Sequence, residues 1–457
     1  MGCFNTSAFQ GILAVLIGLI VTLQASASAP VSLNGVEYRV TSTISRDICI
    51  VGGGSSGTYA GIRLSDLGKS VVVIEQKGRL GGHTETYTEP ISGLKYDIGV
   101  EVWHDLPIVK SYFSRLNVSL VRRQTSSFNT KYVDFETGNL ASSNVAANLS
   151  AGLAAYSAQC AEYPYLEKGF DLPYHKYNLG SMVGFHYRFS QGMGDTLAQP
   201  ILYVIKNFGS DILRNIQIGF PTTELHDNSL LYEHASETLN GNILLNSRII
   251  KVDRTSEERA RIVASTQTGL TLVTCDKLIM AIPPKLENLA GWDLDSDELA
   301  LFGQFINTGY YTGLLRNTGI PNNVSIVNVS PKAEYNQMVM PGIYNLEQTN
   351  IPGLVGVTFG SAHALPNHVV KKQILSDVRR LKYPGKGPSN PQFVVFSRHA
   401  PFELTVSTTV IAQGFYKALN DLQGQRPTWY TGAAFHTQDS ALIWEFTEAL
   451  LENITAL

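Results

Sequence analysis

Charge is scarce in this chain of 457 residues: Asp, Glu, Lys and Arg make up 16% of it and the formal net charge is -3, where an ordinary domain is about 25% charged. No run of lysine or arginine occurs, which excludes a polybasic nucleic-acid binder and leaves no patch for an anionic membrane. Cysteine is sparse as well, four residues in all, too few for a disulfide-built scaffold. No group of His, Cys and carboxylates has metal-site spacing, so the expectation is no metal. Internal repeats and low-complexity tracts are lacking.

Long apolar runs are lacking too, with one exception. Residues 11–23 are apolar but too short to span a bilayer comfortably, and Ala25-Ser26-Ala27 follows with the small residues a signal peptidase cuts. Residues 1–27 therefore read as a secretory signal, with a signal-anchor helix as the alternative. The mature chain would be secreted or lumenal, with no transmembrane segment. Five N-x-[ST] triplets then become glycan acceptors: Asn117, Asn148, Asn323, Asn328 and Asn453. Cleavage leaves Cys49, Cys160 and Cys275. Cys49 and Cys275 fall in apparent buried strands and are expected to be plain packing thiols.

What is present is concentrated in residues 46–83. Ile48-Cys49-Ile50-Val51 is an uninterrupted apolar run, as in a central strand covered on both faces. It ends in Gly52, Gly54 and Gly57, a G-x-G-x-x-G turn followed by an amphipathic segment with Tyr59, Ala60, Leu64 and Leu67 inward and Gly68 as its stop. A second apolar strand, residues 70–74, delivers Glu75. Gly52 allows the tight turn, Gly54 lets the backbone approach a pyrophosphate beside Ser56, and Gly57 lets helix and strand pack closely. Glu75 stands 18 positions past Gly57, near the roughly 20-residue interval at which an acid meets a ribose diol. The same residues also match G-x-S-x-G, the nucleophile elbow of serine hydrolases. That reading leaves Glu75 unexplained and gives the elbow strand only one good predecessor.

Past Glu75, Arg79-Leu80-Gly81-Gly82-His83 resembles the R-x-G-G motif of the flavin amine-oxidase and phytoene-desaturase superfamily, and Tyr96-Asp97-Ile98-Gly99 resembles its next block. Within that superfamily the chain is most similar to the fungal β-cyclopiazonate dehydrogenase family, on Gly81-Gly82-His83, residues 398–402 and residues 429–444. More distantly it resembles FAD-dependent fatty-acid double-bond isomerases. The resemblance implies FAD rather than NAD, and an α/β fold: an FAD-binding Rossmann-like (GR2-type) domain with an interleaved α+β substrate-binding domain. The FAD domain would comprise residues 46–106, 241–300 and 393–457; the substrate and cap domain would comprise 107–240 and 301–392, with 28–45 as a polar leader. Ile249 would lie beside the adenine through its backbone. Gly432 would end the last strand, before a helix from about residue 440 whose N-terminus faces the flavin.

At Ala433 the superfamily usually has Glu or Asp, and losing one charged hydrogen bond would cost about 1.5 to 3 kcal/mol of cofactor affinity. His83, where Arg is commoner, either bonds the flavin covalently or only hydrogen-bonds it. His399 either acts as a catalytic base or caps a strand end, and His104 and His436 stand between the same two roles. The implied reaction is hydride removal from a small apolar substrate, leading to ring closure or desaturation, with dioxygen as a possible electron acceptor. Alternatives are a redox-neutral double-bond isomerase and a non-catalytic flavin-fold protein. The 19 Phe, 21 Tyr and 4 Trp residues are enough to wall a water-excluding pocket.

Overall fold

The computed structural model describes residues 29–123, 128–141, 149–164, 186, 189–256 and 258–456; residues 1–27 and Asn148 lie outside them. A seven-stranded sheet takes the strands in the order Ile243–Leu244, Val71–Ile74, Ser42–Val51, Gly269–Met280, Ala260–Thr266 and Arg248–Asp253, with Thr428–Tyr430 pairing alongside Gly269–Met280. Neighbouring strands around the glycine turn are parallel, Val51 facing Met280 and Ile74. The apolar run of residues 48–51 feeds two cores, because successive side chains leave a strand on opposite faces. Ile48 and Ile50 join Tyr59, Trp103, Phe113 and Trp444 on one side; Cys49 and Val51 join Leu278, Phe302 and Tyr416 on the other.

A six-stranded sheet forms the second layer, ordered Gln392–His399, Gly309–Arg316, Leu354–Ser361, Gly342–Gln348, Val324–Asn328 and Asn129–Val133. Its core is backed by the helix Asn367–Arg380, which contributes Val370, Ile374 and Val378. The α/β architecture with two interleaved layers is the one expected. Two helices from the stretch assigned to the cap lie instead with the dinucleotide sheet. Val109, Tyr112 and Phe113 of Pro107–Arg115, and Leu231, Tyr232 and Ala235 of Leu230–Thr238, enter the same core as Tyr59 and Trp444. Trp444 binds them together, stacked 5.0 Å from Trp103 and edge-on to Tyr112 at 4.8 Å.

Other local readings change. Residues 28–45 are no leader: Ala29–Leu33 and Val36–Val40 form a hairpin through Asn34-Gly35, both at positive φ (48° and 78°), and Ser42 already opens the first sheet strand. Asn-Gly between alternating apolar residues is a strong hairpin signal. The expected inward Leu67 is 49% exposed, because the helix stops at Asp66 and Gly68 turns the chain at φ 76°. A short helix, Ile201–Asn207, follows Pro200. Residues 269–280 form one long strand, Gly269–Met280.

Cys49 and Cys275 are joined in a disulfide, which corrects the packing-thiol expectation; their Cα atoms are 5.7 Å apart across neighbouring strands. Burial was read correctly, but their adjacency came from a pairing of strands 226 residues apart in sequence. Closing a loop of that length stabilises the fold by about 5 kcal/mol in the chain-entropy model. Titration of thiols in denaturant should find both residues unreactive until a reductant is added; two further free thiols without it would contradict the link.

At the edge of the dinucleotide sheet Arg254 has a fully buried side chain, bonded to Glu298 at 2.7 and 2.9 Å and to Asp293 at 2.8 Å. Tyr430 donates to Glu298 at 2.5 Å, which ties this cluster to the strand that ends at Gly432. Glu298→Ala would leave the guanidinium buried with one acid fewer, a loss of about 3 to 5 kcal/mol. Its melting temperature should fall steeply, and an unchanged one would remove the cluster from the account.

Candidate flavin site

The helix Ser55–Asp66 begins at Gly54 with no side chain capping it, so its first N–H groups and positive dipole end face outward. Three glycines set this geometry. A Cβ on Gly57 would meet the Gly52 carbonyl oxygen at 1.9 Å, and one on Gly82 would meet Gly54 Cα at 2.9 Å. A Cβ on Gly54 would meet nothing nearer than Gly82 Cα at 3.9 Å. Glycine at 57 and 82 thus serves packing within the protein, whereas at 54 it keeps a space open.

Glu75 stands at the rim of that space, 7% exposed. Its Oε2 accepts from Gly53 N–H and its Oε1 from Lys77 N–H, both at 2.7 Å. Each oxygen keeps a lone pair for a further donor such as a ribose hydroxyl. The glycine doublet is anchored by its own cations: Arg79 donates to the carbonyls of Leu80, Thr84 and Gly82, Lys77 donates to that of Gly82, and both pair with Glu85. Gly99 packs so tightly on this loop that a Cβ there would meet His83 O at 1.9 Å.

These pieces line one cavity of about 1090 Å³, above the roughly 300 to 1,000 Å³ of most ligand sites. Gly52, Gly54, Ser56, Glu75, Gly81, Gly82, His83, Ile249, His399, Gly432 and Ala433 all lie on its wall. Gly57 lies beneath the turn. The cavity runs from Glu75 to Gly432 and on to Gln438, Asp439 and Ser440 at the start of the helix Ser440–Ala456. The elbow reading fails: Ser55 Oγ accepts from the Trp444 indole at 2.9 Å, and no His is bonded to it among the described residues.

The far wall is aromatic. His83 lies edge-on to His399 at 4.7 Å and stacks near Phe402 at 5.8 Å, while Tyr310 stacks on His399 at 5.8 Å. Thr312 donates its hydroxyl proton to the Ile98 carbonyl, so toward His399 Nε2, 3.2 Å away, it can only accept. That fixes the His399 proton on Nε2 and leaves Nδ1 as an acceptor with no partner among the described residues. Burial pushes His399 down to about 4, with the Glu85 charge opposing. His83 is held well below the ordinary imidazole range, first by burial and then by His399, Lys77 and Arg79. Both rings are neutral at neutral pH, so neither brings a charge to the cavity. His104, bonded to Asp439 at 3.2 Å, and His436, pushed down to about 3 by burial, do not line it.

The shape of the cavity, the open space over Gly54 and the free acceptor capacity of Glu75 fit FAD: pyrophosphate at the glycine turn, ribose at Glu75, ring system toward Gly432. The fold and site together define a flavin-dinucleotide enzyme of the amine-oxidase architecture. Residues 50–116 match the model of the NAD(P)-binding Rossmann-like domain family. Among solved structures, a conjugated-linoleic-acid-producing fatty acid isomerase from P. acnes superposes with a TM-score of 0.70 at 16% identity, over 89% of this chain and 98% of that one. A putrescine oxidase gives 0.65 at 16% identity, over 91% and 100%. The chain is 34% identical to the FAD-dependent oxidoreductase oblC of Cochliobolus heterostrophus, over 94% of this chain and 95% of the relative. It is 31% identical to the β-cyclopiazonate dehydrogenase of Aspergillus oryzae, over 93% and 95%. It belongs to this family of fungal FAD-dependent oxidoreductases and is an enzyme of that kind.

Several wall residues had no sequence signal of their own. Glu101, Tyr310 and Ala364 come from loops and strands far apart in the chain. The segment around Gly192 roofs Phe402 and Tyr310: Gly192 donates to the Tyr344 hydroxyl at 3.0 Å and Thr308 donates to its carbonyl. Of the glycan acceptors, Asn117, Asn323 and Asn453 are exposed. Asn328 is engaged inside the second sheet, donating to Ile343 O at 2.8 Å and accepting from Phe135 N, which leaves it a poor acceptor.

Proposed function

We propose that this oxidoreductase removes a hydride from a carbon of a small, largely apolar substrate, leaving that carbon ready for desaturation or ring closure in fungal secondary metabolism. Bound FAD supplies the two-electron acceptor. The observation that carries the reading is the aromatic part of the cavity wall, where Tyr310, Phe402, His83 and His399 present rings and no net charge. Such a wall orients an apolar carbon and keeps water away. His399, on the cavity wall, is our proposed acceptor of a proton lost beside the oxidised carbon, and its low basicity suits an already acidic proton. Dioxygen is our proposed final acceptor, reduced to peroxide. The deciding experiment is product mass together with oxygen uptake: loss of two hydrogens with peroxide formed supports the reading. Unchanged mass would mean a redox-neutral isomerase, and oxidation without oxygen uptake would remove dioxygen.

His83 is the proposed tether or hydrogen-bond partner of the flavin. Neither of its nitrogens makes a hydrogen bond among the described residues, and a neutral imidazole has the lone pair for a bond to the flavin methyl carbon, which would lose a proton while two electrons pass into the ring and on to the electron acceptor. Acid precipitation separates the two roles, since flavin that stays entirely in the supernatant ends the covalent one. A secreted or lumenal location is also proposed. The disulfide and the exposed Asn117, Asn323 and Asn453 support it, and a cytosolic, unglycosylated protein in the native host would contradict it.

A further inference from the structure

A second cavity of about 430 Å³ opens between the strands Val324–Asn328 and Gly342–Gln348 and the end of the helix Ser210–Ile218. Among the described residues an ion pair stands between it and the flavin cavity. Arg123, on the wall of the smaller cavity, bonds Glu101 Oε2 at 2.8 Å, and Glu101 lines the larger one. Among the described residues, the charged ones lining the smaller chamber are Arg123 and Glu347, and the polar ones are Thr130, Asn215, Ser325, Asn345 and Gln348. Glu347 Oε1 accepts from Asn345 Nδ2. Its Oε2 takes no hydrogen bond among the described residues.

Arg123 is thus paired with Glu101, and Glu347 feels the same guanidinium only at longer range, with no ion pair of its own among the described residues. A buried acid without its own counter-charge is costly, and Glu347 shows it: burial first, then the Glu101 charge, push it up to about 7, with Arg123 opposing. The other titratable groups that sense it are the phenols of Tyr96 and Tyr310, both held well above their ordinary range and hence neutral. An anionic ligand would have to displace Glu101 from Arg123 and then face Glu347. An apolar tail would leave Glu347 Oε2 unpaired.

We propose that this chamber is a substrate subsite for a protonated nitrogen, held by Glu347 beyond the Arg123–Glu101 pair and away from the carbon that is oxidised. The inference rests on the hydride-transfer reading above and adds to it a class of substrate, an apolar skeleton with a basic nitrogen remote from the reacting carbon. Seating the cation supplies the missing positive charge and draws Glu347 into its ionised form, so a proton is released on binding. The affinity for a cation should therefore rise between about pH 6 and about pH 8, as the free Glu347 loses its proton, and level off above that.

Phenethylamine, phenethyl alcohol and phenylacetate probe the chamber, titrated into the FAD-loaded protein by calorimetry at about pH 8. The expected order is amine over alcohol by about 10- to 100-fold, the worth of a charge-assisted hydrogen bond, with phenylacetate weakest. Glu347→Gln should erase the amine preference and its pH dependence while leaving alcohol binding and the flavin spectrum unchanged, and Glu347→Asp should restore part of it. Equal binding of amine and alcohol would overturn the proposal. So would an amine preference that survives in Glu347→Gln, because the amine would then sit elsewhere. Absence of bound FAD would count against the hydride-transfer reading instead, and the amine preference would still be readable from thermal shifts.

Discussion

Gly54→Ala should give a folded protein that holds FAD about 10- to 100-fold more weakly, the effect of a methyl forced into an occupied space. Gly57→Ala should not fold. The substitutions are chemically identical and three residues apart, yet they meet different surroundings. At 57 the new Cβ would lie 1.9 Å from the Gly52 carbonyl oxygen and 3.1 Å from Ala281 Cβ, so the turn and the strand beside it would have to separate. At 54 the nearest protein atom is 3.9 Å away and the backbone, at φ -72°, suits any residue. Only a bound group fills that space. Circular dichroism of the FAD-free proteins and flavin titration of the folded one measure the two effects separately. A Gly54→Ala protein with unchanged FAD affinity would mean the pyrophosphate does not pass over this turn.

The second large effect is expected from Glu75→Ala. Two backbone N–H groups, of Gly53 and Lys77, lose the acceptors they now have at 2.7 Å. An unsatisfied buried donor costs about 1 to 3 kcal/mol, and the ribose loses its acceptor as well. The turn loosens on the protein side while the cofactor loses a contact, so the variant should release flavin on dilution and melt at a lower temperature even without FAD. Glu75→Gln keeps one acceptor oxygen and should fall between the variant and the native protein. If Glu75→Ala melts like the native protein and retains flavin, the carboxylate serves neither purpose.

The parts of the site legible from sequence were those made by short-range geometry. The glycine turn, Glu75, the doublet at Gly81 and Gly82 and the strand end at Gly432 each sit within a few residues of the strand or turn that positions them. All four lie on one wall system. What stayed hidden depended on pairing across long separations. The bond between Cys49 and Cys275 requires knowing that their strands are neighbours, which neither local run discloses. Leu230–Thr238 reads equally well as a cap helix or a helix on the dinucleotide sheet, because an amphipathic face does not name the surface it covers. The same holds for Tyr310 and Glu101, whose apolar and acidic characters are ordinary until the fold brings them to the cavity. The hairpin at Asn34-Gly35 is different, since its local signal was present in the turn residues themselves.

At Ala433 the chain lacks the acid that its superfamily places there. Asp439 is already engaged, accepting from Leu442 N at 3.0 Å and facing His104 at 3.2 Å. In the proposed binding mode, retention of FAD falls on the glycine turn, Glu75 and His83. Thermal unfolding of the purified protein with increasing FAD measures that grip most directly. The expected result is a protein that carries flavin absorbance as isolated and, once stripped, gains about 2.7 kcal/mol of stability when FAD reaches a hundred times its dissociation constant. A colourless protein whose melting temperature does not respond to added FAD would contradict it.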